Sequence, residues 1–398
     1  MVLKEKAERI PIMDGVRGFA ALWVLLGHVS NFTGLQVPLL SSPFHAVDVF
    51  MLMSGFLMAQ HFLLRRDKEP WESPRTHLIF YVRRFFRIAP LYYAMLIPAV
   101  IWHSYYSGAL SSLMKSMFTT VYDPSETTMT ATNLVVHLSF LFGLFPQYCA
   151  NLIIPDWSIG LEMQFYAMFP LLMLFARRFG LVVFSLGSVA VWELANRLIA
   201  VYVVSTPKLL GLFPQPSFLP LKLVYFTAGI LLAWGYMEDR KSATRRSTIA
   251  ILAIASVAIT GSIVMLCVVV ALLLLLFYRP EMKRGVSIPL SALEFILGNR
   301  FASFLGDTSY GVYLVHMLLL IPALSLLRTG SHLSRFCLVS VTVAPLCYAV
   351  SWALSWMVEN PGIALGKRIA RAIPQPLRRS SPFETVRSGG KADFTNAT

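Results

Sequence analysis

RGFAALWVLLGH, residues 17–28, places an arginine and a histidine at the two ends of ten residues that are nearly all apolar. On a helix, eleven positions make three turns plus about 20°, so Arg17 and His28 share one face, ~16 Å apart along the axis. The apolar run around them approaches the ~20 residues needed to cross ~30 Å of hydrocarbon. A group that titrates near neutrality is costly there. Two readings stand. In one, Arg17 snorkels to headgroups and His28 bonds a neighbouring helix. In the other, a fixed cation near the cytoplasm and a titratable base deeper in mark one line through a membrane.

The rest of the chain supports the membrane setting. Of 398 residues, 56% are hydrophobic and only 14% charged, against about a quarter charged in soluble domains. Mean hydropathy is +0.64. The fold class is therefore an all-α polytopic membrane protein; a β-barrel would show short alternating segments instead. About ten transmembrane helices are predicted, at 15–35, 43–64, 86–106, 157–176, 180–203, 219–237, 247–261, 263–279, 306–327 and 336–357. The apolar stretch 134–149 is short and ends in Pro146, which suits a partial or re-entrant helix. The first span lacks a small-residue cleavage site and reads as retained.

Ten crossings put both termini on one side. With the N-terminus and C-terminus cytoplasmic, 28 of the 34 Lys and Arg residues fall in cytoplasmic segments, as the positive-inside bias requires. The net charge of +14 is thereby spent on orientation, and no nucleic-acid partner is implied. The domain reading is one transmembrane unit over 1–361 and a basic, disordered cytoplasmic tail over 362–398. The four cysteines, Cys149, Cys267, Cys337 and Cys347, form no CxxC pair and read as packing residues. No carboxylates and histidines cluster at metal-ligand spacing, so no metal is expected.

Ionisable residues inside apolar spans are few, which makes each informative. In VDVFMLMSGFLMA, Asp48 is either a solvated helix-start residue or a carboxylate orienting an imidazole. Ser54 and Gly55 sit mid-span, where a small pair permits close helix packing. In YVRRFFRIAP, Arg83, Arg84 and Arg87 begin the third span, as a lipid anchor or a phosphate clamp. IPDWSIGLEMQFYAMFP sets Ser158 and Glu162 four apart on one face, and a lone intramembrane Glu needs a partner. FLGDTSYGVYLVHMLLL carries Asp307, a candidate cap with Ser309 in the first turn, and Tyr313 and His316 three apart. Glu359 and Pro361 close the last span, Pro361 stopping the helix.

Six pieces in this order, DGVRGFAALWVLLGH, VDVFMLMSGF, RRFFRIAPLYY, WSIGLEMQFYAMFPLL, FLGDTSYGVYLVH and ENP, resemble the membrane acyltransferase-3 family. That family comprises O-acyltransferases of sugars, polysaccharides and macrolides. Each piece alone is weak; the ordered set is specific and extends over residues 13–361. Two departures stand out: Met51 replaces an aromatic in the second span, and EMQ stands where two adjacent acids are common.

The resemblance implies an acyl-CoA donor, by default acetyl-CoA, with no permanently bound cofactor. It implies as acceptor a hydroxyl of a carbohydrate, glycan precursor or small molecule. Arg17, Arg84 and Arg87, with Arg83, would hold the donor phosphates. His28 would be the general base, with Glu162 or Asp48 orienting it and Arg17 steadying negative charge. Ser54 and Tyr313 would donate to the tetrahedral intermediate, and His316 joins this donor-side set. Only ~40 residues follow the last span, so the chemistry is expected to finish in the membrane: the plasma membrane if the source is bacterial, an internal one otherwise. The alternative is a secondary transporter or flippase of a small anion or lipid-linked sugar, using the same ions for coupling.

Overall fold

The structure is a computed structural model that describes residues 9–66, 69–117, 129–145, 148–149, 151–205, 217–237, 242–278, 284–327 and 330–374. No strand occurs among the described residues. The helices are α1 (Pro11–Thr33), α2 (Phe44–Arg65), α3 (Pro74–Ile101), α4 (His103–Met117), α5 (Ala131–Leu138), α6 (Trp157–Ser205) and α7 (Leu223–Met237). They continue as α8 (Ala243–Ala258), α9 (Ile263–Leu273), α10 (Arg284–Gly298), α11 (Arg300–Leu326), α12 (His332–Leu354) and α13 (Asn360–Ala372).

Each of the ten stretches read as a span lies largely on helix. Among the described residues, six helical segments are long and apolar enough to cross a membrane: α1, α2, α3, α6, α11, and the continuous run from α12 to α13. α6 holds two of the expected spans, joined at Gly180, whose φ of 83° breaks the helical geometry. α7 and α9 are shorter apolar helices. The exterior is apolar: Leu186, Ile251 and Trp356 are 62%, 65% and 74% exposed. Such a surface needs hydrocarbon around it.

Local chemistry sets the ends. Gly34 ends α1 in the left-handed region, φ 78°. Asn299 and Ser331 accept from Ala302 N and Ser334 N and so cap α11 and α12. The stretch 134–149 is indeed not a span: α5 has eight residues, followed by a 3-10 turn at Phe142–Leu144. Pro146 lies outside the described residues.

Three expectations are corrected. Pro361 does not stop the last helix. A π turn at Ser355–Glu359 carries the chain into α13, with Pro361 in its first turn. The tail is accordingly ordered helix through Ala372, with Gly362 and Gly366 buried against Pro90 and Phe86 of α3. The third span also starts earlier than predicted, at Pro74.

Two close helix pairs build the frame. α2 packs on α7 through glycines on both sides. A Cβ on Gly55 would lie 2.2 Å from Phe226 O, and one on Gly229 would lie 1.9 Å from Leu52 O. Gly55 of that small pair therefore serves packing, as one reading held. α1 packs on α11 in the same way, with Gly18 against Gly306 N and Gly306 against Asp14 O.

Gly229→Ala drives its methyl into backbone and is expected to cost about 1–3 kcal/mol or more, lowering Tm in detergent. Gly108→Ala, where an added Cβ meets nothing within 4 Å, is expected to leave Tm unchanged or slightly raised. Thermal unfolding of the two variants checks the contrast.

Candidate active site

α1, α2, α3, α6 and α11 converge on a chamber of about 130 Å³. Its polar lining comes from Arg17, Ser54, Arg84, Arg87, Ser158, Glu162, Tyr166, Ser309, Tyr310 and Tyr313. Arg17, Leu57, Met58, Arg84 and Arg87 also line a wider vestibule of about 560 Å³. Cavity and vestibule thus meet at a ring that contains three guanidinium groups.

The α1–α11 approach explains how Arg17 is held. Its Nη2 and Nε donate to Gly306 O, at 2.7 and 3.2 Å. Asp14 lies 3.9 Å from Nη2. Arg87 pairs with Glu359, which is only 2% exposed. Arg84 lies over the Phe80 and Tyr166 rings, 5.8 Å from each centroid, and its Nη2 is 3.3 Å from His61 Nδ1. Arg84 Nε is buried without a hydrogen-bond partner. Arg83 also lines the vestibule, where its Nη1 donates to both Glu69 oxygens, at 2.9 and 3.1 Å. It does not line the chamber.

Inside the chamber, Glu162 Oε1 accepts from Ser54 Oγ at 3.0 Å and from Tyr166 OH. Two donors on one oxygen hold the carboxylate in place. Ser158 Oγ donates to Tyr313 OH at 2.7 Å. That leaves the Tyr313 proton free to point elsewhere. Ser158 and Glu162 face the same cavity, as their spacing predicted.

A row of rings leads away from the chamber. Tyr313 and His316 have centroids 5.9 Å apart, and His316 and His28 5.1 Å. His28 Nδ1 lies 2.8 Å from Val24 O, and His316 Nδ1 lies 2.8 Å from Tyr313 O. A nitrogen facing a carbonyl carries the hydrogen, so both Nε2 atoms bear the lone pair. His316 is fully buried and its Nε2 has no hydrogen-bond partner. His28 is half-buried and is not on the chamber wall.

The orienting acid expected for His28 is a correction. Glu162 is engaged by Ser54 and Tyr166, and Asp48 Oδ1 is 2.6 Å from Lys222 Nζ. No carboxylate contacts the His28 ring among the described residues. The Val24 carbonyl, one turn back on the same helix, sets its tautomer instead. Asp48 is 3% exposed, and a buried carboxylate needs its cation.

Several residues escaped the sequence reading. Tyr166 stands one turn after Glu162, a spacing that would have found it. His61 stands two turns after Ser54 on α2. His137 and Asp156, both 1% exposed, pair at 3.3 Å, with Tyr92 OH 3.3 Å from the same Asp156 oxygen. The His137 ring stacks on Phe142. This pair ties α5 to the start of α6, two residues before Ser158, and sequence separation hid it.

A family model described as an acyltransferase domain matches residues 10–358. A peptidoglycan O-acetyltransferase, OatA of Listeria monocytogenes, is 26% identical over 342 residues, covering 77% of this chain and 49% of that protein. Protein 2 in the picA locus of Rhizobium radiobacter is 29% identical over 163 residues, 41% of this chain and 81% of that protein. The O-acetyltransferase OatA of Staphylococcus aureus is 25% identical over 167 residues, 42% and 25% respectively. The chain spans about half the length of the relatives that match most of it. No solved structure matches.

Lys222→Met strands the Asp48 carboxylate and is expected to destabilise the fold by about 3–5 kcal/mol. Adding Asp48→Leu is expected to recover most of that loss, because an apolar pair of similar volume needs no desolvation. A double-mutant cycle read by thermal unfolding measures the coupling.

Proposed function

The chain belongs to the acyltransferase-3 family, and from that premise we propose a membrane O-acyltransferase that moves an acetyl group from acetyl-CoA to a carbohydrate hydroxyl. Six apolar helices and that membership make it a multi-pass integral membrane protein. The vestibule is assigned to the cytosolic side, since Arg9, Arg65, Arg83, Lys367 and Arg371 gather there. The accompanying topology has ten crossings, both termini cytoplasmic, and a plasma-membrane location.

The observation that carries this reading is the chamber itself. Residues from five of the six family-like pieces, Arg17, Ser54, Arg84, Arg87, Glu162 and Tyr313, meet around one space. The guanidinium ring at its mouth suits the phosphates of a CoA ester, which accept paired N–H donors. The acyl end then reaches the inner wall. There Tyr313, its oxygen already accepting from Ser158, turns its own proton toward the thioester oxygen.

His28 supplies the base. Its Nε2 takes the proton of the acceptor hydroxyl as the oxygen attacks the acyl carbon. The tetrahedral oxyanion is held by Tyr313 and collapses with loss of the CoA thiolate, which receives the proton. The acceptor approaches His28 from the face away from the vestibule. Arg17, two donors already on Gly306 O, offsets the thiolate charge with its remaining N–H groups. Ser54 and Tyr166 keep Glu162 fixed among the cations. The Listeria relative is named for peptidoglycan, and a glycan hydroxyl is accordingly the acceptor class to test first.

Protein in nanodiscs, given isotopically labelled acetyl-CoA and a glycan acceptor, should release CoA and yield acetyl ester. His28→Ala should lower kcat by about 10²–10⁴ while CoA binding persists. Full turnover by His28→Ala would remove the base assignment. Absence of any acetyl-CoA turnover by the wild type, together with acceptor-independent solute flux, would replace the enzyme with a transporter.

A further inference from the structure

The last helix carries two parallel rows of residues at steps of four. Gly362, Gly366 and Ala370 form one row and are buried. Added Cβ atoms on the two glycines would lie 2.6 Å from Pro90 Cγ and 2.4 Å from Phe86 Cβ. That row presses α13 against α3, the helix that bears Arg84 and Arg87. Ile363, Lys367 and Arg371 form the adjacent row, and all three line the vestibule. Arg87 with Glu359 ties the start of the joint, and Arg75 donating to Ile373 O and Pro374 O ties its end.

Of the other vestibule cations, Arg17 donates to Gly306 O, Arg65 lies 3.9 Å from Glu69, and Arg84 is buried over aromatic rings beside His61. Arg9 reaches Asp14 and Asp307, Arg83 reaches Glu69, and Arg87 reaches Glu359. Lys367 and Arg371 are exposed and have no ion-pair partner among the described residues. Two unneutralised cations are thus held at the outer part of a cavity whose inner end is the reaction chamber.

We infer that Lys367 and Arg371 form a second phosphate subsite, beyond the guanidinium ring, which receives the outermost phosphate of the donor's nucleotide while the ring holds the phosphates nearer the thioester and the acyl end lies in the chamber. This rests on the acyl-CoA reading above. A nucleotide thioester carries its phosphates at the end remote from the acyl group, and the cavity places its unpaired cations in the same order. The shared chemistry, phosphate, is also that of an anionic lipid headgroup. Arg368 separates the two sources. It is exposed, lies one position further round α13, and does not line the vestibule.

The experiment compares wild type, Lys367→Ala with Arg371→Ala, and Arg368→Ala in nanodiscs of zwitterionic lipid, with acetyl-CoA and acetyl-pantetheine as donors. The double variant should raise the KM for acetyl-CoA by roughly tenfold to a hundredfold, as expected for lost charge-assisted hydrogen bonds. Its kcat should hold, and its KM for acetyl-pantetheine should match the wild type, which also shows that the variant is folded. Arg368→Ala should behave as wild type with both donors. An unchanged acetyl-CoA KM in the double variant overturns the subsite. An equal effect of Arg368→Ala, or one that appears only with anionic lipid, assigns the cations to the membrane surface. Wild type that turns over acetyl-pantetheine and acetyl-CoA with equal KM also overturns the subsite. Wild type that uses neither removes the donor reading and the subsite together.

Discussion

A guanidinium cannot rest in an apolar bundle unless the fold brings an acceptor to it. Arg17 and Arg87 meet that requirement in different ways, and the architecture follows from both. Arg17 needs a backbone carbonyl within 2.7 Å. Gly306 provides it only because Gly18 and Gly306 let α1 and α11 approach without side chains between them. Arg87 needs Glu359, 272 positions away, so α3 and the end of the α12 run must be adjacent. Arg84 is held by aromatic faces and by His61, with one donor still unassigned.

The same logic sorts the carboxylates. Glu162 is fixed by two hydroxyls and stays in the cavity; Asp48 is consumed by Lys222 at the α2–α7 joint. Both are acids in apolar spans, and both look alike in the chain. Only the partner tells them apart. His28 and His316 are placed differently again, each anchored through Nδ1 to its own helix backbone and left with a basic nitrogen.

Much of the cavity was legible in the sequence because burial makes polar residues in apolar spans conspicuous. Arg17, Ser54, Arg84, Arg87, Ser158, Glu162 and Tyr313 were found in this way, and all line one space. Pairings across long separations were not legible. Lys222 stands near the start of the predicted span 219–237, and nothing local announced that it faces Asp48. The position of His28 behind Tyr313 and His316 depends on how α1 and α11 are rotated, which spacing within one helix does not convey. The last helix was missed for another reason. Pro361 and a basic composition were read as a stop and a tail, although Gly362, Gly366 and Ala370 already carried a step of four.

That last helix also orders events during synthesis. The arginines of α3 leave the ribosome early, whereas Glu359 and the Gly362/Gly366 seam follow more than 250 positions later. Until then, Arg87 has no carboxylate and the cavity lacks a wall. Contacts between such distant segments form slowly and late. A chain interrupted before residue 359 would hold most of its helices and yet leave Arg87 without its carboxylate and the vestibule without the α13 side of its lining. The final turns therefore supply both the partner of Arg87 and one side of the vestibule.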